Sequence, residues 1–214
     1  MRPTYSHTLV RARQIIVALC ISMSLSAENF SADSLLLAAY LREDMSVWKE
    51  YVDTPSKLPT INSRLLYSYG YCGYLVAEAK KDGKEALLPE AKRHVQRFKA
   101  QVEAAKGNLP VGHYEMYRSA VSVYELRLHE SVHPVQAMRL AQEATRLAPD
   151  DPLTLAYYGT CLFYAPRPFG SKKEALVWFE QAKKRFDDNA YRFCWVREAT
   201  EMYINQCHEK LKKH

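Results

Sequence analysis

The sequence has few residues that turn a chain sharply and none of the alternation that marks a β-strand. Glycine occurs only 7 times in 214 residues, and no run of alternating β-branched residues is bounded by turns. The chain is instead rich in Ala, Leu, Glu, Lys and Arg, which favour helices. These features exclude a sheet and predict an all-α fold.

The sequence also lacks most motifs that carry chemistry. It has no Gly-rich phosphate loop, no nucleophile elbow and no Cys-x-x-C pair, so nucleotide binding, serine hydrolysis and zinc knuckles are not expected. One catalytic pattern is present, because His129-Glu130-Ser131-Val132-His133 matches the His-Glu-x-x-His motif of zinc hydrolases. That motif needs both histidines on one helix, whereas Pro134 disfavours helical geometry at His133. We predict no enzymatic activity, metal or cofactor, and keep the zinc-dependent hydrolase as a minor alternative.

The first 27 residues contain no acidic side chain. Arg2, Arg11 and Arg13 precede an apolar run over residues 15–25, and small residues follow up to Ala27. This order predicts a signal peptide over residues 1–27 and a periplasmic or secreted protein. The run is about half the ~20 residues that a membrane-spanning helix needs, so we expect no stable membrane insertion after its removal. An amphipathic helix that stays attached is the alternative.

The positive charge is concentrated in that same segment. Cleavage after residue 27 removes three arginines and no acid, which lowers the formal charge from +6 to +3. A balance of this size is too small to indicate a nucleic-acid partner, and none is expected.

Four cysteines follow the predicted signal peptide: Cys72, Cys161, Cys194 and Cys207. An exported protein can oxidise its thiols, and Cys161 with Cys194 is then the most plausible pair, since their helices are expected to be neighbours. We favour four buried free thiols that pack as small hydrophobes.

Apolar periodicity and capping signals predict a chain of helices joined by short turns. We divide the sequence into the signal peptide, an N-terminal helix and linker over 28–59, and helical repeats with a C-terminal capping helix over 60–214. The predicted helices cover about Asp33–Val52, Thr60–Lys81, Pro89–Lys106, Val111–Ser131, Pro134 to before Pro149, Asp151–Tyr164, Ser171–Phe186 and Asn189–Lys212.

A repeated pattern of large and small residues runs through the paired helices. Leu155-x-x-Tyr158-Gly159-x-x-Leu162 lies on one helix and Ala175-x-x-x-Phe179-x-x-Ala182 on the next. The small residues allow the two helices of a pair to cross closely, and the large ones fill the gaps. From Tyr124 to Tyr158 is 34 residues, which is the tetratricopeptide period.

These residues resemble the tetratricopeptide repeat family over about 60–210. Within that range, Pro166, Phe169, Gly170, Ser171 and Lys172 resemble a stretched linker in exported, largely uncharacterised repeat proteins of Bacteroidetes. The first repeat departs from the period, because Tyr69 and Tyr124 are 55 residues apart. The resemblance implies a superhelix of antiparallel helix pairs, with about three repeats plus flanking helices, and no enzymatic activity.

Tyrosines are the most suggestive residues for binding. In this architecture the first helix of each pair lines a concave face, and phenols suit a binding surface. We predict that a protein or peptide partner contacts a row made of Tyr67, Tyr71, Tyr74, Tyr114, Tyr117 and Tyr157. Packing between repeats is the alternative role for these tyrosines. A structural or self-assembling module, whose groove is filled by its own terminal helices, is the alternative function.

Overall fold

The computed structural model describes residues 32–129, 134–166, 168–187 and 194–212. Across these ranges the chain forms α-helices and two short 3-10 turns, with no strand. The all-α prediction is confirmed. The helices are α1 Ala32–Leu41, α2 Met45–Asp53, α3 Ile61–Glu78, α4 Leu88–Ala104, α5 His113–Arg127, α6 Pro134–Leu147, α7 Pro152–Tyr164, α8 Lys172–Phe186 and α9 Trp195–Leu211.

The N-terminal helix is the main difference from the predicted elements. One helix was expected over Asp33–Val52, but the chain breaks between α1 and α2, where Glu43 has a φ of +58°. Asp44 then caps α2, because its carboxylate accepts a hydrogen bond from the Ser46 backbone N–H at 3.3 Å. A short acidic side chain that satisfies an exposed amide favours a new helix start at this position.

Other helix starts follow the capping chemistry in the sequence. Asp151 caps α7, accepting bonds from the backbone N–H groups of Leu153 at 3.0 Å and Thr154 at 2.9 Å. At α8, Ser171 accepts a bond from the Glu174 backbone N–H at 3.4 Å. Each side chain satisfies an amide that the first turn of the helix leaves exposed.

Each helix packs against its neighbour in sequence, from α1 to α9. The odd-numbered helices α3, α5, α7 and α9 also contact one another in series, and α1 contacts α9. The odd-numbered helices therefore form an inner row, while α4, α6 and α8 pack outside it. One continuous hydrophobic core joins the two rows.

Helices α7 and α8 pack closely against each other. Ala175, Phe179 and Ala182 of α8 are fully buried, and a Cβ added at Gly159 would lie 2.9 Å from the Phe179 ring. The absence of a side chain at Gly159 is thus what allows Phe179 to sit against the α7 backbone, as the sequence pattern predicted.

The predicted signal peptide lies outside the described residues. Among the helices that are described, none is long and apolar enough to cross a membrane. The four described cysteines are all free thiols.

Candidate functional site

A cavity of about 100 Å³ opens where the odd-numbered helices meet. Five aromatic residues from four of these helices form much of its wall: Tyr40, Tyr69, Tyr157, Trp195 and Tyr203. Apolar side chains and two threonines complete the lining. The cavity is a concavity of the inner row with a mainly aromatic and apolar lining, which makes it a candidate binding site.

The aromatic rings of the wall hold one another in place. Trp195 packs against Tyr40 and against Tyr69, with 5.7 Å between ring centroids in both pairs. Tyr69 also meets Tyr157 edge to face at 5.9 Å. Contacts of this geometry favour defined ring orientations, so the wall has a fixed shape.

The cavity wall carries no charge. No acidic, basic or histidine side chain lines it. Burial raises the pKa of Tyr40 to about 12, and it also raises the pKa of Tyr69 and of Tyr157 well above the ordinary phenol value. These hydroxyls therefore stay protonated at physiological pH.

One buried polar atom next to the cavity has no hydrogen-bond partner in the part of the chain that the structure describes. Trp195 is only 8% exposed, and its indole Nε1 is buried with no hydrogen-bond acceptor among the described residues. In contrast, the Trp48 indole N–H donates to the Leu36 carbonyl at 2.8 Å. A buried donor without an acceptor lowers the stability of the fold.

Three hydroxyls of the residues that line the cavity donate hydrogen bonds within the protein. Thr160 and Thr200 donate to carbonyls of their own helices, at 3.0 Å and 2.7 Å. Tyr157 donates to the Ser119 hydroxyl at 2.8 Å.

Four of the six predicted tyrosines are core residues. Tyr67, Tyr71, Tyr117 and Tyr157 are each at most 6% exposed. Tyr67 packs against Trp48, and Tyr71 packs edge to face against His94 of α4. These contacts correct the predicted row, because they place the rings between helices. Tyr157 is the one residue of the six that lines the cavity.

The remaining two predicted tyrosines lie nearer the surface, away from the cavity. Tyr74 is 38% exposed and stacks on Tyr71. The half-buried Tyr114 donates to the Glu103 carboxylate of α4 at 2.8 Å. The six tyrosines therefore do not form one continuous face.

The residues that line the cavity on α7 and α9 follow a helical periodicity in the sequence, and the predicted row of tyrosines includes only Tyr157 among them. On α9, Trp195, Ala199 and Tyr203 recur at four-residue steps and face the cavity together. On α7, Leu153, Ala156, Tyr157 and Thr160 do the same at three- and four-residue steps. Such stripes identify the inner face of a helix, although they do not show which of several faces encloses a cavity.

A polar cluster around the buried His113 joins α3 and α5 to the start of α7. His113 is fully buried, with its Nδ1 2.8 Å from Asn62 Oδ1 and its Nε2 3.2 Å from Asp151 Oδ1. Tyr117 also donates to Asn62 Oδ1 at 3.0 Å. The pairing of a histidine with a carboxylate resembles acid–base machinery, but it does not border the cavity, and the His113 ring is fully buried while the Asp151 side chain is 19% exposed. Its contacts connect α3, α5 and the start of α7.

The His129-Glu130-x-x-His133 motif does not begin on a helix. Helix α5 ends at Arg127, and His129 has a φ of +60°, which is outside the helical region. Glu130 and His133 lie outside the described residues. Within the ranges that are described, no group of three His, Cys, Asp or Glu side chains is arranged to hold a metal ion.

Comparison with known proteins found no matching family model, no matching curated protein and no matching solved structure. The geometry of the cavity is therefore the basis on which a function is proposed.

Proposed function

We propose that the chain is an exported helical-repeat scaffold of the tetratricopeptide type, without catalytic activity, which binds a peptide segment of a protein partner at its inner row of helices. The observation that carries the proposal is the neutral, aromatic-walled cavity between the odd-numbered helices. Fixed aromatic surfaces around a concavity are the usual anchors of peptide and protein recognition.

The repeat assignment is supported by packing as well as by spacing. Tyr124 and Tyr158 are one tetratricopeptide period apart. Phe179 approaches Gly159 closely, and each helix packs against its neighbours in sequence, which fits a stack of helix pairs.

A selection of random peptides displayed on phage tests the binding function. We expect peptides to be enriched on the purified chain, and their binding to be lost in Thr160→Phe, which fills the cavity from α7. Ala199→Met fills it from α9 with a more adaptable side chain. The matched control is Val177→Phe, since Val177 is half-exposed on the outer helix α8. Peptides that bind both filled variants as well as the natural chain would contradict the proposal.

Export is a separate part of the proposal with its own test. Residues 1–27 have the charged, apolar and small-residue order of a signal peptide. We expect the exported product to begin after residue 26 or 27 when its intact mass is measured. A product that keeps residues 1–27 and stays inside the cell would contradict export without affecting the binding proposal.

One observation favours the structural alternative. The N-terminal helices α1 and α2 reach α9, where Tyr40 and Trp48 pack against Trp195, so the chain closes part of its inner row with its own terminus. If the protein is a self-assembling module, light scattering will give a mass that rises with concentration. A constant mass of one chain, together with peptide binding at the cavity, favours the scaffold.

A further inference from the structure

Two lysines from different helices converge on one aromatic ring. The Nζ atom of Lys172, at the start of α8, lies 3.9 Å from the centre of the Phe163 ring, and the Nζ atom of Lys210, near the end of α9, lies 4.9 Å from it. The ring itself is buried, whereas Lys172 is half-buried and Lys210 is exposed. Two ammonium groups are therefore held close to each other at the surface of the protein.

This arrangement concentrates positive charge. Burial, and after it the charge of Lys210, lowers the pKa of Lys172, because a second positive charge nearby disfavours the ammonium form. The face of an aromatic ring attracts an ammonium group, but the ring carries no net charge. Phe163 thus helps to hold the two lysines without neutralising them.

No acidic side chain of the described residues compensates the pair. Lys183 of α8 is paired with Glu201 of α9 at 3.5 Å, but neither Lys172 nor Lys210 has a carboxylate partner in the part of the chain that the structure describes. The Cys207 thiol lies near both lysines, and burial raises its pKa although the two ammonium groups oppose this effect. The thiol is therefore neutral at physiological pH and supplies no negative charge.

A doubly charged oxyanion has the chemistry that matches the pair. A phosphate group has several strong acceptor oxygens, so two ammonium groups can donate to different oxygens of the same group. A carboxylate has a single charge and would leave one of the two ammonium groups uncompensated. The exposed Tyr164 ring, whose centre is 5.1 Å from that of Phe163, offers an organic group on the phosphate a surface to pack against.

We propose that Lys172 and Lys210 form a binding site for a phosphate dianion, which is either a free phosphate ion or a phosphate monoester. The site lies where the end of α7, the start of α8 and the end of α9 meet. Neither lysine lines the cavity between the inner helices, so this is a second site, and it does not depend on the proposed function.

The ε-methylene signals of the two lysines give a direct readout. In ¹H–¹³C spectra of the purified chain with ¹³C-labelled lysine at pH 8, the Lys172 signal should lie upfield of those of exposed lysines, because its ammonium end lies over a ring. Lys→Gln variants assign the signals. Inorganic phosphate and phenyl phosphate are the probes, and sodium chloride keeps the ionic strength constant. We expect saturable shifts at Lys172 and Lys210 and none at Lys184.

Three variants of equal charge test the pair. Lys172→Gln and Lys210→Gln each leave one ammonium group, so the dissociation constant for phosphate, measured on the remaining lysine, should rise by about fivefold or more. Lys184→Gln is the matched control. Lys184 is exposed and lies 12 residues beyond Lys172 on α8, which is ~18 Å along a helix, so this variant should bind like the natural chain.

Sodium acetate separates a site for a dianion from a site for any anion, and we expect it to bind about tenfold more weakly than phosphate. Saturable phosphate binding that is weakened in both Lys172→Gln and Lys210→Gln supports the proposal. It is overturned by equal shifts at Lys184, by acetate binding as tight as that of phosphate, or by unchanged binding in the two variants. Tighter binding of phenyl phosphate than of inorganic phosphate supports the site with a monoester as its ligand, and the reverse order supports it with the free ion.

Discussion

Trp48 of α2 and Trp195 of α9 meet edge to face, with ring centroids 5.4 Å apart and planes at 71°. The contact joins the N-terminal helices to the last helix, so the inner row closes on itself. Gly70 of α3 lies against both rings. A Cβ at this position would overlap the Trp48 ring and lie 2.9 Å from Trp195 Cζ2. The absence of a side chain at Gly70 is therefore what permits the two indoles to meet.

Gly70→Ala is predicted to destabilise the chain, although alanine is normally the better helix former. Displacing two packed indoles should lower the free energy of unfolding by about 1–3 kcal/mol, measured by urea denaturation. Gly73→Ala on the same helix is the control. Its Cβ would lie 3.0 Å from the hydroxyl of Tyr124, the tip of a side chain, so we expect a smaller loss. An equal or more stable Gly70→Ala would show that the indoles have room to move.

Gly70 also illustrates what the sequence can reveal. The repeat pattern of the sequence correctly indicated that two helices approach closely at Gly159, because Phe179 and the alanines beside it lie on α8, the next helix in the chain. At Gly70 the neighbour is Trp48. The Trp48 ring belongs to α2, which precedes the predicted repeats. The repeat period in the sequence carries no information on where this N-terminal segment packs.

The helices themselves were largely predictable, because caps and apolar periodicity act locally. The burial of the predicted row of tyrosines was not predictable in this way. Tyr67 and Tyr117 were predicted to lie in a binding row along the concave face, yet Tyr67 packs against Trp48 and Tyr117 donates to Asn62 of α3. Which face of a helix is buried depends on its neighbours in space, and α3 has neighbours on several sides. The cavity depends on all the inner helices at once, so no single helix pattern reveals it.

Asp151 is predicted to stabilise the fold in two ways. It caps α7 through two backbone N–H groups, and its Oδ1 lies 3.2 Å from Nε2 of the buried His113. Asp151→Ala removes both interactions and should lower the free energy of unfolding by about 2–3 kcal/mol. Asp151→Asn keeps a capping side chain and should retain more than half of that stability.

The matched control for Asp151 is Ser171→Ala. Ser171 caps α8 through one exposed bond of 3.4 Å, so its removal should cost about 0.5–1 kcal/mol. Chemical denaturation gives the free energies of unfolding of Asp151→Ala, Asp151→Asn and Ser171→Ala. Their comparison separates the contribution of the cap from that of the contact with His113. If Asp151→Ala and Ser171→Ala lose equal stability, the contact with His113 contributes nothing.

The buried thiols are predicted to be unreactive in the folded chain. Burial raises the pKa of Cys72 to about 12 and that of Cys161 to about 11, so very little thiolate is present at pH 8. Cys194 is also buried, and its sulfur accepts from the Val196 backbone N–H at 3.4 Å as the cap of α9. We expect labelling of Cys72 by a disulfide reagent to be at least about a hundredfold slower in the folded chain than in guanidinium.

The same labelling tests the predicted Cys161–Cys194 disulfide as an alternative to free thiols. In guanidinium without reductant, the free thiols of Cys72, Cys161, Cys194 and Cys207 should all be labelled, as peptide mapping by mass spectrometry would show. If the exported protein gives unlabelled Cys161 and Cys194 until a reductant is added, then the pair is oxidised after export.

His94 is predicted to make the fold sensitive to acid. It is buried against Tyr71 at the α3–α4 contact, and this burial lowers its pKa, although Asp53 and Glu90 oppose the effect. As the pH falls below the ordinary imidazole value of 6.5, the unfolded chain takes up a proton more readily than the folded chain does. Stability contributed by the neutral ring is therefore present above that pH and is lost as the pH falls toward the lowered pKa.

Urea denaturation at pH 7.5, 6.5 and 5.5 measures this dependence. His94→Phe keeps a ring against Tyr71 and cannot be protonated, so its free energy of unfolding should fall less steeply from pH 6.5 to 5.5 than that of the natural chain. The variant carries every other titratable group of the protein, and the difference between the two slopes isolates His94. Parallel slopes would mean that His94 takes up its proton equally in the folded and unfolded chain, and that its burial does not penalise the charge.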